Sequence, residues 1–80
     1  MKEKVDIKDI EKWTKQIEDI YNEIDVDDSK AEEMLSNMKA YVEDSKYFLE
    51  KGDLVRSFEA VVWAMAIFET CRQLEIFKIE

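Results

Sequence analysis

The densest run of potential ligands is Glu23, Asp25, Asp27, Asp28, Glu32 and Glu33. Oxygen-rich clusters of this kind suit hard cations such as calcium or magnesium. The spacing does not fit an EF-hand loop. A loop opening at Asp25 needs a glycine at position 30 and a glutamate at 36, where this chain has Lys30 and Ser36. A solvated turn that places negative charge at a helix start accounts for the same residues. No metal site and no cofactor is therefore expected. A small ligand or divalent ion bound at the acidic turn, 25–33, is the alternative reading.

The other chemistry-bearing types are sparse. There is no histidine. That removes imidazole from general acid–base catalysis, from Ser–His and Cys–His nucleophile pairs and from zinc ligation. It also leaves the Glu-x-x-His pairs of di-iron bundles without their second member. Arg56 lies in a hairpin that suits the Arg-x(4–6)-His motif of helical nucleases, but no histidine follows it. Cys71 is the single cysteine. One thiol closes no internal disulfide, which predicts a reducing, cytoplasmic compartment. Arg72 is adjacent in sequence but points elsewhere on the helix, so Cys71 reads as buried and inert. Met34, Met38 and Met65 recur at helical spacing and read as core filler rather than a soft-metal surface. One glycine and no proline leave nothing from which to build a phosphate loop. No catalytic residues are expected, and the chain reads as a non-enzyme.

Eighty residues make one domain, 1–80, with a small core. Twenty acidic against twelve basic residues give a net charge of −8, which repels a phosphate backbone and argues against nucleic acid as a partner. The charged start, Met1-Lys2-Glu3-Lys4-Val5-Asp6, does not resemble a leader peptide. The longest apolar run, 60–68, is too short to span a bilayer.

These residues must be positioned by helices. Ile7, Ile10, Trp13, Ile17, Ile20 and Ile24 recur at steps of three and four, with Asp6 as N-cap, and predict a helix over about 7–24. Ser29-Lys30-Ala31-Glu32 fits a capping box and opens a second helix over about 30–51. Its apolar face carries Ala31, Met34, Leu35, Met38, Tyr41, Val42, Ser45, Phe48 and Leu49. Gly52 suits the left-handed residue of a helix C-terminus, and Asp53 the next N-cap. So short a link forces an antiparallel hairpin with a third helix over about 54–74. The expected fold is all-α, an antiparallel three-helix bundle.

The third helix carries two apolar stripes. Leu54, Phe58, Val61, Met65 and Phe68 form one. Ala60, Ala64, Ile67, Cys71 and Leu74 form the other, on a separate face of the helix. Such a helix is expected to be buried on most sides. Ile76, Phe77 and Ile79 make an apolar tail expected to fold over the bundle end. The small-residue stripe is expected to receive the first helix or a second copy of the chain. Tyr47 and Trp63 fall off the core faces, and exposed aromatics are enriched at interfaces. The candidate interface is thus Ala60, Trp63, Ala64, Ile67, Cys71 and Tyr47. The expected function is a non-catalytic interaction module, a homo-oligomer or protein-partner binder through the third helix, with neither membrane nor nucleic acid as partner.

The segment Tyr41-Val42-Glu43-Asp44-Ser45-Lys46-Tyr47-Phe48-Leu49-Glu50-Lys51-Gly52-Asp53 resembles the central signature of an archaeal family, domain-of-unknown-function family 357. The resemblance continues through Ser57-Phe58-Glu59-Ala60 and Trp63-Ala64 to Leu74-Glu75-Ile76-Phe77, covering about 8–78. It implies a small helical bundle of the archaeal cytoplasm with no established activity. Met65-Ala66 stands where the family pattern has a His-Gly pair, and Cys71 where a glycine is common, so a histidine-centred function does not carry over. Asp44, Lys46 and Glu69 match polar positions of the pattern.

Overall fold

The computed structural model of the chain describes residues 6–79. The charged start at 1–5, read above as carrying no leader, and Glu80 lie outside the described residues. Three helices follow in order: α1 Ile7–Tyr21, α2 Ser29–Glu50 and α3 Leu54–Gln73. Two short extended segments, β1 Ile24–Asp25 and β2 Lys78–Ile79, pair antiparallel with Ile24 opposite Ile79. The all-α three-helix fold is as expected.

An aspartate starts every helix. Asp6 accepts from the Lys8 N–H at 3.0 Å, Asp28 from the Ala31 N–H at 2.8 Å and Asp53 from the Arg56 N–H at 3.1 Å. Each carboxylate satisfies a donor that the first turn leaves free and adds negative charge at the positive end of the helix dipole. The capping box expected at Ser29 is not formed. Asp28, with extended backbone (φ −144°), takes the cap, and Ser29 becomes the first helical residue.

Two helices end in the same hydrogen-bond pattern. After α2 the Gly52 N–H bonds the Leu49 carbonyl and the Asp53 N–H bonds the Phe48 carbonyl, at 3.0 and 2.9 Å. After α3 the Glu75 N–H bonds the Arg72 carbonyl and the Ile76 N–H the Cys71 carbonyl, at 3.1 and 2.8 Å. Both are Schellman closures, which need a left-handed residue at the turn. Gly52 supplies it at φ 78°, while at the second end Glu75 adopts φ 60° despite its side chain.

α1 stops at Tyr21, short of the expected residue 24. The Glu23 N–H reaches back to the Ile20 carbonyl at 2.8 Å, and the backbone then extends so that Ile24 is buried in the core while its strand pairs with β2. The C-terminal tail does fold over the bundle end. Phe77 is buried, its ring 6.4 Å from that of Phe68.

The core runs through all three helices: Ile10 and Ile17 from α1, Ala31, Met38 and Val42 from α2, and Val61, Ala64 and Cys71 from α3. α2 and α3 pack against each other most extensively, and α1 lies across one side of that hairpin. Trp13 of α1 meets Phe58 of α3 at 5.5 Å, and Glu18 pairs with Lys46 of α2.

Candidate functional site

The interface residues expected on α3 separate into two groups. Ala60, Ala64 and Cys71 are buried within the chain, Ala64 and Cys71 in one core cluster with Ala31, Met38 and Val42 of α2. On the folded chain this small-residue stripe presents nothing to a second copy. The expectation overlooked that a helical hairpin closes first on itself, and small side chains are what let its two helices approach. Ile67 is half-buried. Trp63 and Tyr47 are the two that reach solvent, Trp63 with 59% of its surface exposed.

The expectation that α3 is covered on most sides also needs correction. Its outward side carries Val55, Val62 and Met65, all exposed, with Leu74 exposed at its end. Two neighbouring helices cover only part of a cylinder's circumference, so an apolar belt that runs all round leaves one strip in water. Met65, placed by its spacing in the first core stripe, lies on that strip. The signal was present in the sequence: Val55 and Val62 are seven residues apart and lie opposite the buried stripe.

A second feature lies between α2 and α3, on the side away from α1. A cavity of about 450 Å³ is lined by Asn37, Ala40, Tyr41, Asp44 and Ile67. A smaller one of about 210 Å³ shares Ile67 and is walled by Met34, Trp63, Ala66, Thr70 and Cys71. Between them the rings of Tyr41 and Trp63 stack, centroids 6.3 Å apart and 21° between planes. Tyr47 sits further along α2, edge-on to Phe48 at 5.4 Å, with the Lys51 ammonium 5.4 Å from its ring centre.

Three of the six acidic side chains of the turn have structural partners. Asp28 caps α2, and Asp27 accepts from the Lys78 ammonium at 3.3 Å, tying the turn to the C-terminal tail. Glu33 pairs with Lys30. Among the described residues no three Asp, Glu or Cys side chains converge as a metal site would require. Burial pushes the Cys71 thiol above its ordinary range, with the Lys30 charge opposing weakly. A buried thiol of raised pKa is a poor nucleophile. Among the described residues no helix is long and apolar enough to cross a membrane.

One buried polar pair escaped the sequence reading. Ser45 and Ser57 are fully buried, their hydroxyl oxygens 3.0 Å apart, and the Ser57 hydroxyl also donates to the Ser45 carbonyl at 2.7 Å. The pair fixes the register of the α2–α3 hairpin. Ser45 fell on the apolar face of its helix, and Ser57, three residues before Ala60, continues the small-residue stripe of α3, but nothing in local spacing joins the two.

No curated protein matches the sequence. The fold is shared with the crystal structure of protein AF1782 from Archaeoglobus fulgidus, which is 42% identical, with 91% of each chain covered and a TM-score of 0.80. The model of the family described as "Protein of unknown function (DUF357)" matches residues 8–77, nearly the whole described chain. The protein belongs to the DUF357 family.

Proposed function

We propose that this chain is a non-catalytic protein–protein interaction module that self-associates through the outward side of α3. The observation that carries the reading is the exposure of Val55, Val62 and Met65 on one helix of a small bundle. Apolar surface costs about 25 cal/mol per Å² to leave in water, and contiguous apolar strips on small soluble domains mark interaction sites. A strip along a single helix is self-complementary under a two-fold axis, which makes a second copy its simplest cover. The chemistry of the chain supports a non-catalytic role: it has no histidine, and its one thiol is buried. The Archaeoglobus relative supports an archaeal source, and the single free cysteine a cytoplasmic setting.

Light scattering after size exclusion, over a tenfold range of concentration, tests the reading. The expected result is a dimer or a concentration-dependent mass, reduced to that of a single chain by Val62→Glu. A mass of one chain at every concentration overturns self-association.

A further inference from the structure

The trough between α2 and α3 is a different surface from the outward side of α3, and its chemistry points to a different partner. Its floor is apolar: Ile67 and the stacked Tyr41–Trp63 pair, with Met34 at one end. Its charge is one-sided at mid-length. Asp44 lines the trough beside Tyr41. Glu59 lies one helical turn before Trp63, on the same surface of α3. Neither carboxylate has a partner among the described residues. The cations toward the ends of the hairpin are already engaged, Lys30 by Glu33, Arg56 by Asp53 and Lys51 by the Tyr47 ring. The whole chain carries −8.

We infer that this trough docks an amphipathic helix of a basic partner, whose apolar stripe covers Ile67 and the Tyr41–Trp63 pair and whose flanking Lys or Arg side chains meet Asp44 and Glu59. The shape favours a helix, because the trough follows the seam of two antiparallel helices, the slot a further helix occupies in a four-helix bundle. From Met34 to Asp44 it runs about 15 Å at 1.5 Å per residue, which three turns of helix would fill with anchors at i, i+3, i+4 and i+7. The exposed face of Trp63 adds a cation–π site beside the two carboxylates. α1 is already seated on the other side of the hairpin, through Trp13 on Phe58 and Glu18 on Lys46, so the trough is the side left for a partner.

The test uses two synthetic amphipathic peptides of equal length with the same leucine stripe, one flanked by Lys and Arg, the other by Glu. Each is titrated into the 15N-labelled full chain carrying Val62→Glu, so that self-association neither competes nor decides the outcome. The two tryptophan indole N–H signals are the readout, assigned with Trp63→Phe. The basic peptide is expected to move Trp63, Asp44 and Ile67 while leaving Trp13 in place, and to bind at least tenfold tighter than the acidic one. Asp44→Asn with Glu59→Gln should weaken it about tenfold, whereas Glu11→Gln with Glu23→Gln, which removes the same charge elsewhere, should not. Equal binding of the two peptides, shifts centred on Trp13, or equal effects of the two double variants would overturn the inference. So would Trp63 shifts that appear on concentrating the chain without peptide, because the occupant would then be a second copy.

Discussion

Ser45 gives its hydroxyl proton to Ser57. The Ser57 hydroxyl has one proton, and the 2.7 Å bond to the Ser45 carbonyl uses it. In the 3.0 Å contact between the two hydroxyls Ser45 is therefore the donor. The two bonds are unequal in consequence. Removing the Ser57 hydroxyl leaves the buried Ser45 proton without an acceptor, while removing the Ser45 hydroxyl leaves Ser57 still bonded to the backbone. Ser57→Ala should cost about 1–2 kcal/mol and Ser45→Ala less than about 1 kcal/mol. Urea unfolding of the two variants checks the order, and equal or reversed costs would contradict the assigned direction.

The two Schellman closures predict opposite signs for two substitutions. Nothing lies within 4 Å of a Cβ built on Gly52, so Gly52→Ala meets no clash and pays only for its left-handed backbone. A loss of about 1 kcal/mol is expected, or about 4–8 °C in melting temperature for a domain this small. At the other end Glu75 already pays that cost at φ 60°. Glu75→Gly should raise stability by about 0.5 kcal/mol, the gain being partly offset by the greater freedom of glycine in the unfolded chain.

Tyr21 predicts an alkaline limit. Its hydroxyl oxygen is buried without a hydrogen-bond partner, and burial, with Glu18 and Glu43 adding to it, pushes its pKa up to about 12. The folded value lies above the unfolded one of about 10. The neutral ring is therefore favoured in the fold, its contribution is complete below pH ~10, and it is lost as pH rises from about 10 to 12. Thermal melts from pH 9 to 12.5 should show Tyr21→Phe declining less steeply than the parent. At neutral pH the variant should be as stable or slightly more stable, since it removes an unsatisfied buried hydroxyl. Lysine titration is common to both proteins and cancels in the difference.

The acidic turn predicts an absence of response. With Asp28 holding the Ala31 N–H and Asp27 holding Lys78, a divalent ion would have to displace two existing contacts. Millimolar calcium or magnesium should leave the melting temperature unchanged. An ion that bound only the folded chain, at 100 times its dissociation constant, would add about 2.7 kcal/mol, and a shift of that size would establish the turn as a metal site.

The helices, the hairpin at Gly52, the caps at Asp6 and Asp53 and the folded-back Phe77 were legible because each rests on local periodicity or on a residue with one strong backbone preference. The start of α2 was misplaced by one residue because Asp28 and Ser29 are both good caps, and only the extended backbone at Asp28 decides between them. Ile24 continued the α1 stripe in spacing, yet its partner lies 55 residues away in β2. Such pairings leave no trace in local pattern. The candidate surface was legible as chemistry and not as placement. Wheel positions put Trp63 and Tyr47 outside, but which stripe of α3 would meet α2 depends on the register that the Ser45–Ser57 pair sets. Asp44 was visible as a matched polar position of the family pattern and Glu59 as a surface charge one turn before Trp63, but neither signal placed Asp44 in a trough beside Tyr41.

The turn at Gly52 also orders events in time. α2 and α3 meet across a link of three residues, so their contacts close a short loop and cost little chain entropy. α1 and the β1–β2 clasp rely on contacts between distant parts of the chain. The hairpin is thus the natural nucleus, and α1 with the tail joins later and opens first. Amide protons in the middle of α2 and α3 should be the slowest to exchange, and those of α1 should exchange through partial openings that leave the hairpin intact. In that partly open state the side of the hairpin normally under Trp13 is bared. The molecule then carries two empty seams instead of one, and its own first helix becomes a competitor for both.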